Sequence, residues 1–229
     1  MKKIITTIAI ILAFCTPAFA QNYDNDELIN INVYEKISPA IVSVVAQLND
    51  GVSEGTGCII TTDGQILTGW HVVEGAKTID ITTTEGKTYK AKLIAKMSDK
   101  KDLAIIKIET KEELPTVSFG DSEEVKVGQK VLTIGNPFGF SNTLTQGIIS
   151  RIDYVKNRFQ TDAAINPGCS GGPVLNSTGE VIGISQSIYN PDHNISNIGI
   201  GFAIPSNEAV KFIASQKGNK TISELIILT

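Results

Sequence analysis

Cysteine is scarce in this chain. Three residues among 229, at positions 15, 58 and 169, form no Cys-x-x-Cys pair and are too few for a disulfide scaffold. Basic clusters are missing too: 20 Lys and Arg stand against 24 Asp and Glu, a net charge of −4, which argues against nucleic acid as a main partner. No low-complexity or long polar tract suggests disorder. Histidine occurs only at 71 and 193. After the first twenty residues no long apolar run follows, so nothing there predicts a membrane span.

What is present begins with an export signal. Lys2 and Lys3 precede an apolar run over Ile4–Phe14, and Ala18-Phe19-Ala20 offers small residues at the positions a signal peptidase reads. The run is too short for a bilayer core of about 30 Å. A lipoprotein reading at Cys15 is weaker, because bulky Phe14 precedes it. Cleavage is expected after Ala20, which leaves residues 21–229 with a charge of −6. The mature protein is expected in the periplasm or outside the cell, without stable membrane insertion.

Short apolar runs then recur between turn signals. They cover Ala40–Ala46, Cys58–Thr61, Gln65–Thr68, Thr78–Thr83, Tyr89–Ala95, Leu103–Ile108, Lys130–Ile134, Leu144–Ile152, Pro173–Leu175, Val181–Ile188 and Ile198–Ile204. Thr62-Asp63-Gly64, Glu85-Gly86, Asn136-Pro137 and Ser177-Thr178-Gly179 punctuate them. This rhythm predicts an all-β barrel or sandwich in one domain over residues 21–229, possible as two lobes. One helix is expected, capped by Ser206 and carrying Ala209, Val210, Phe212 and Ile213 on one face. Gln21–Asn32 reads as a polar lead, and Ile222–Leu228 as an apolar tail.

The chemistry concentrates in Asn166-Pro167-Gly168-Cys169-Ser170-Gly171-Gly172-Pro173. Glycines around a serine let successive N–H groups converge, so that those of Gly168 and Ser170 could hold an oxyanion while the hydroxyl attacks a carbonyl. An ordinary Gly-rich turn is an equal alternative for this segment alone. Serine needs a base. His193 sits in a solvated Asn190-Pro191-Asp192-His193-Asn194 loop, so any base is His71, at the end of a strand. An acid must orient it. Of the aspartates at 80, 99, 102, 121, 153 and 162, Asp102 opens the apolar run Leu103–Ile106 and could be buried against a histidine. An exposed strand-start aspartate is the plainer alternative.

Seven segments, in order, resemble the HtrA/Deg serine endopeptidases. They are Gly55-Thr56-Gly57, Thr68-Gly69-Trp70-His71-Val72-Val73, Asp102-Leu103-Ala104, Gly135-Asn136-Pro137-Phe138-Gly139, Gln160–Asn166, Gly168-x-Ser170-Gly171-Gly172-Pro173 and Gly199–Pro205. The resemblance covers roughly Val33 to Ile213. It implies a chymotrypsin-like fold of two six-stranded β-barrels with the site between them. It also implies His71 as base, Asp102 as orienting acid, Ser170 as nucleophile, and Gly168, Cys169 and Ser170 as the oxyanion loop. No cofactor and no metal is implied. Substrates are expected to be unfolded or misfolded proteins, a quality-control role. A homotrimer built through N-terminal aromatics would use Tyr23 and Tyr34. A non-proteolytic chaperone or binding module, and a narrow-specificity secreted protease, are the rival readings.

Departures from the family pattern matter. Cys169 and Gly69 stand where the family usually has Asn. Cys169 is a rival nucleophile, but only Ser170 sits centrally in the glycine frame. Lacking a carboxylate, Cys169 also excludes activation by pairing with a new N-terminal amine. Cys58 and Cys169 are expected as small buried thiols. About a dozen residues follow the helix, so the expectation is a protease domain without a PDZ domain. Arg151–Phe159 is shorter than the family's sensor loop. In this fold the specificity pocket would be walled by Ala164, Ile165 and Asn166 and by Ile184, Ser185, Gln186, Ser187 and Ile188, with Gly201-Phe202-Ala203 at the rear. The lack of charge there predicts small aliphatic residues before the cut. The alternative is that these isoleucines are plain barrel core.

Overall fold

A computed structural model describes residues 23–97, 101–188 and 197–216. The expected export signal, Cys15, Asp99, His193 and the Ile222–Leu228 tail lie outside them, as do the side chains of Ser187 and Ile188.

The chain opens with helix α1 (Asn25–Ile37) where a polar lead was expected. Its apolar residues do not form a clear stripe. A capping box starts it: the Asp24 carboxylate accepts the N–H groups of Asp26 and Glu27, both at 2.8 Å, and Glu27 returns the favour to the Asp24 N–H. Val33 and Ile37 then bury against the protein body.

Strands β1 (Ile41–Gln47), β2 (Val52–Ile59), β3 (Gln65–Gly69), β4 (Thr78–Thr83), β5 (Thr88–Lys96) and β6 (Leu103–Ile108) close into a first barrel in the order β1-β2-β3-β6-β5-β4. The one-turn helix α2 (Trp70–Val73) interrupts it after β3. Strands β7 (Lys130–Gly135), β8 (Thr143–Asp153), β9 (Arg158–Thr161), β10 (Pro173–Leu175), β11 (Val181–Ile188) and β12 (Gly201–Pro205) close the second, in the order β10-β11-β12-β9-β8-β7. Full closure leaves neither sheet an open edge. Helix α3 (Ser206–Gln216) packs on β11 and β12.

Each barrel has its own apolar filling: Val42, Ile66, Ile81 and Ile106 in the first, Val131, Ile149, Phe159 and Val174 in the second. A third cluster joins them, with Leu67, Leu103 and Ile105 packed among Leu132, Ile134, Leu175, Val181 and Ile184. Val33 and Ile37 of α1 and Phe212 and Ile213 of α3 complete it. Burying one such side chain stabilises by roughly 1.5–3 kcal/mol, so this shared cluster fixes how the barrels meet.

Three further expectations need correction. Strand β9 was not expected, because Arg158 and Gln160 break its apolar pattern; pairing with β8 and β12 makes it a strand. β2 starts earlier than Cys58, running through Gly55, where an added Cβ would lie 2.6 Å from Val72 Cγ1. Ser206 does not cap α3: its hydroxyl donates to the Gly120 carbonyl at 2.7 Å, while the Asn207 N–H reaches Ser122 Oγ at 3.1 Å.

Candidate active site

The site lies on the seam between barrels. β3 ends at Gly69, and α2 turns His71 outward with its side chain about half exposed. An added Cβ at Gly69 would stand 3.2 Å from the imidazole Cε1, so glycine here leaves the ring its room. Asp102 enters from the neighbouring strand, since β3 and β6 pair with Gly69 opposite Leu103. It adopts φ +48°, a left-handed conformation that aspartate tolerates better than most residues.

This conformation lets Asp102 engage two consecutive residues. Its carbonyl accepts the Trp70 N–H at 3.1 Å, and Oδ1 accepts the backbone N–H of His71 at 2.8 Å. Oδ2 lies 2.7 Å from His71 Nδ1. A carboxylate only accepts, so the proton is on Nδ1 and the lone pair of Nε2 is free to act as a base. Asp102 is buried. The acid expected from its place in the sequence does stand against the histidine.

Ser170 arrives between β9 and β10 in a tightly held loop. Asn166-Pro167-Gly168-Cys169 form a turn in which the Cys169 N–H donates to the Asn166 carbonyl at 2.9 Å, with Gly168 at φ +99°. A Cβ on Gly168 would meet the Asn136 carbonyl at 2.3 Å. The Pro167 carbonyl accepts the Phe138 N–H at 3.0 Å. In a trans peptide N–H and C=O point oppositely, so this bond turns the Gly168 N–H the other way. The Cys169 carbonyl accepts the Gly172 N–H at 3.0 Å and the Ser185 hydroxyl, which likewise sets the direction of the Ser170 N–H. Among the described residues neither the Gly168 nor the Ser170 N–H has a backbone acceptor. Cys169 therefore belongs to the loop but not to its donors, because its own N–H is spent on Asn166.

The Ser170 hydroxyl donates to the Gln186 carbonyl at 3.2 Å rather than to His71. Contacts between nucleophile and base commonly tighten only when substrate binds.

The pocket walls divide. Ala164 is exposed and Gln186 half-buried. Ile184 is inaccessible in the shared core, and Ser185 turns its hydroxyl to the Cys169 and Gly172 carbonyls. Those two are corrected from pocket wall to interior support. Ile165 is also buried, and its Cδ1 lies 2.9 Å from where a Cβ on Gly201 would be. Asn197 holds the segment, donating from Nδ2 to the Ile165 carbonyl at 2.8 Å and from its N–H to Asn166 Oδ1 at 3.0 Å.

Cys58 and Cys169 are free and buried, and burial pushes both thiols up. The thiolate is the reactive form. A maleimide at neutral pH should therefore leave both unmodified in the folded protein and label both once it is unfolded; rapid labelling of folded Cys169 would contradict this burial.

Two closed barrels with a His–Asp pair and a serine loop on their seam define a chymotrypsin-like peptidase domain. In agreement, residues 55–184 match the trypsin-like peptidase domain family. A probable periplasmic DegP-like serine endoprotease of Rickettsia prowazekii is 43% identical over 203 residues, covering 84% of this chain and 39% of the relative. One from Chlamydia trachomatis is 45% identical over 175 residues. The solved HtrA-type protease AlgW, with a tripeptide, superposes with a TM-score of 0.75 at 35% identity, covering 81% of this chain and 62% of that one. A serine endoprotease from Yersinia pestis gives 0.73 at 34%, with 82% and 66% covered. The chain belongs to the trypsin-like peptidase domain family, and the relatives it resembles are named DegP-like or HtrA-type serine proteases. It spans about two fifths of the length of the Rickettsia relative.

Proposed function

We propose that this chain is an exported serine endopeptidase that cuts unfolded or misfolded proteins after small aliphatic residues. The observation that carries the reading is the double grip of Asp102 on His71, backbone and ring together. That grip sets both the position and the tautomer of the base.

The steps follow from the atoms present. His71 Nε2 takes the Ser170 proton as Oγ attacks the substrate carbonyl, and Asp102 stabilises the imidazolium that forms. The Gly168 and Ser170 N–H groups meet the developing oxyanion, at no reorganisation cost because their peptide planes are already tied. His71 then passes the proton to the leaving amine, and water reverses the sequence on the acyl-enzyme. Burial and the raised thiol of Cys169 support serine over cysteine as the nucleophile.

Substrate preference rests on Ile165. Its side chain packs against Gly201, and neither it nor its neighbours Ala164 and Asn166 offers a carboxylate to a substrate Lys or Arg. Burying an unpaired charge costs several kcal/mol, whereas one methylene more or less is worth about 1–3 kcal/mol. Export to the periplasm is supported by the leader sequence and by the relatives' names. Among the described residues no helix is long and apolar enough to cross a membrane.

The test is digestion of casein beside a folded protein, followed by a peptide library. Casein alone should be degraded, with cuts after Val, Ala and Ile dominating. Dominant cuts after Lys, Arg or Glu would remove the pocket assignment, and intact casein would remove the protease reading.

A further inference from the structure

The carbonyls of the serine loop are held from across the barrel seam, and the groups that hold them include a buried hydroxyl that the chemistry above does not use. Thr56, on β2 of the first barrel, is inaccessible to solvent. Its hydroxyl donates to the Gly168 carbonyl at 2.6 Å, and its N–H donates to the Ser170 carbonyl at 2.8 Å. Asn136, buried at the end of β7 in the second barrel, presents two donors to the same hydroxyl: its N–H at 3.0 Å and Nδ2 at 3.2 Å. Asn136 Nδ2 also reaches the Val42 carbonyl on β1 at 3.1 Å, and its Oδ1 accepts the Asn142 N–H at 3.0 Å.

We infer that Thr56 and Asn136 form a positioning pair that sets the oxyanion hole. A hydroxyl has one proton and two lone pairs. Asn136 occupies the lone pairs, so the proton is left for the Gly168 carbonyl. Thr56 thereby grips the peptide planes on both sides of the one that carries the Ser170 N–H. Asn136 also precedes Pro137-Phe138, and the Phe138 N–H holds the Pro167 carbonyl, which orients the Gly168 N–H. Both oxyanion donors are thus aimed by one network that joins β1, β2 and β7. Among the described residues neither hydrogen-bonds to His71; they act through the loop.

This inference rests on the proposed Ser170 chemistry, and the test separates the two. Thr56→Val keeps the side-chain shape and deletes only the hydroxyl. Thr56→Ser restores the hydroxyl. Asn136→Asp replaces a donor with an acceptor that draws the Thr56 proton away from Gly168. For each variant, kcat, KM, the pH profile, the melting temperature and the Ki of a peptide boronic acid ending in a boro-valine would be measured. The boronate adduct on serine is tetrahedral and so reports on the hole.

Losing one direct oxyanion donor costs about 10²–10³-fold, and a misaimed pair of donors costs less. Thr56→Val and Asn136→Asp should each lower kcat by roughly 10- to 100-fold and weaken the boronate by the same factor. KM and the pH profile should stay as in the wild type, and Thr56→Ser should recover most of the loss. The inference is overturned if Thr56→Val keeps full kcat, if Thr56→Ser is no better than Thr56→Val, or if kcat falls while boronate affinity holds. Should Thr56→Val fail to fold, the soluble Asn136→Asp protein decides by the same criteria. An active Thr56→Val beside an inactive Ser170→Ala would remove the positioning pair alone; an active Ser170→Ala would remove the serine chemistry itself.

Discussion

Ser170→Ala is expected to lower peptide cleavage by roughly 10⁴-fold or more while leaving the melting temperature nearly unchanged. Among the described residues the hydroxyl makes one hydrogen bond, to the Gln186 carbonyl, so its removal disturbs little else. None of the bonds that position the loop uses the Ser170 side chain: Thr56 holds the Gly168 and Ser170 carbonyls, Ser185 the Gly171 N–H and the Cys169 carbonyl, and Gly172 the Cys169 carbonyl. The oxyanion donors therefore survive the change, and the residual rate should still exceed that of water alone. Cys169→Ala is the paired control. Its thiol is buried and its N–H is spent on Asn166, so the greater part of the activity should remain. Initial rates on a fluorogenic Val peptide decide the matter, and loss of activity in Cys169→Ala with retention in Ser170→Ala would reverse the assignment.

Asp102→Asn should cost about as much, on the order of 10⁴-fold in kcat. The two carboxylate oxygens face two donors, the His71 backbone N–H and the ring Nδ1–H. An amide can satisfy only one of them. If its oxygen keeps the backbone N–H, its NH₂ faces Nδ1, which must then accept, and the ring proton moves to Nε2. The base is lost although the geometry persists. If the amide turns over, the NH₂ opposes the backbone N–H and the short helix that carries His71 shifts. Both routes lower kcat, and a variant retaining more than a tenth of the wild-type rate would show that Asp102 does not set the tautomer.

The parts of the site visible in the sequence are those where chemistry leaves few choices. With two histidines in the chain, and one in a polar loop, His71 stood out. The glycine frame around Ser170 pointed to a loop requiring positive φ, and Gly168 and Gly171 adopt it at +99° and +85°. The remainder depends on contacts far apart in sequence. Thr56 and Asn136 were visible only as motif members, since their meeting with Gly168 requires both barrels to close. Ile184 and Ser185 are consecutive on β11 and face opposite sides: Ile184 enters the shared core and Ser185 turns to the carbonyls of the serine loop, contacts that only the closed barrels create. Helix α1 was overlooked for want of an apolar stripe, although Asp24 followed by Glu27 carried a capping-box signal.

The central claim is a single activated serine in a formed oxyanion hole. It is tested most directly by reacting the folded mature protein with a fluorophosphonate and locating the adduct by mass spectrometry. The expected result is one adduct per chain, on Ser170, absent after unfolding and absent in the His71→Ala variant. An adduct on Cys169 or elsewhere, or no adduct on the folded protein, would contradict it.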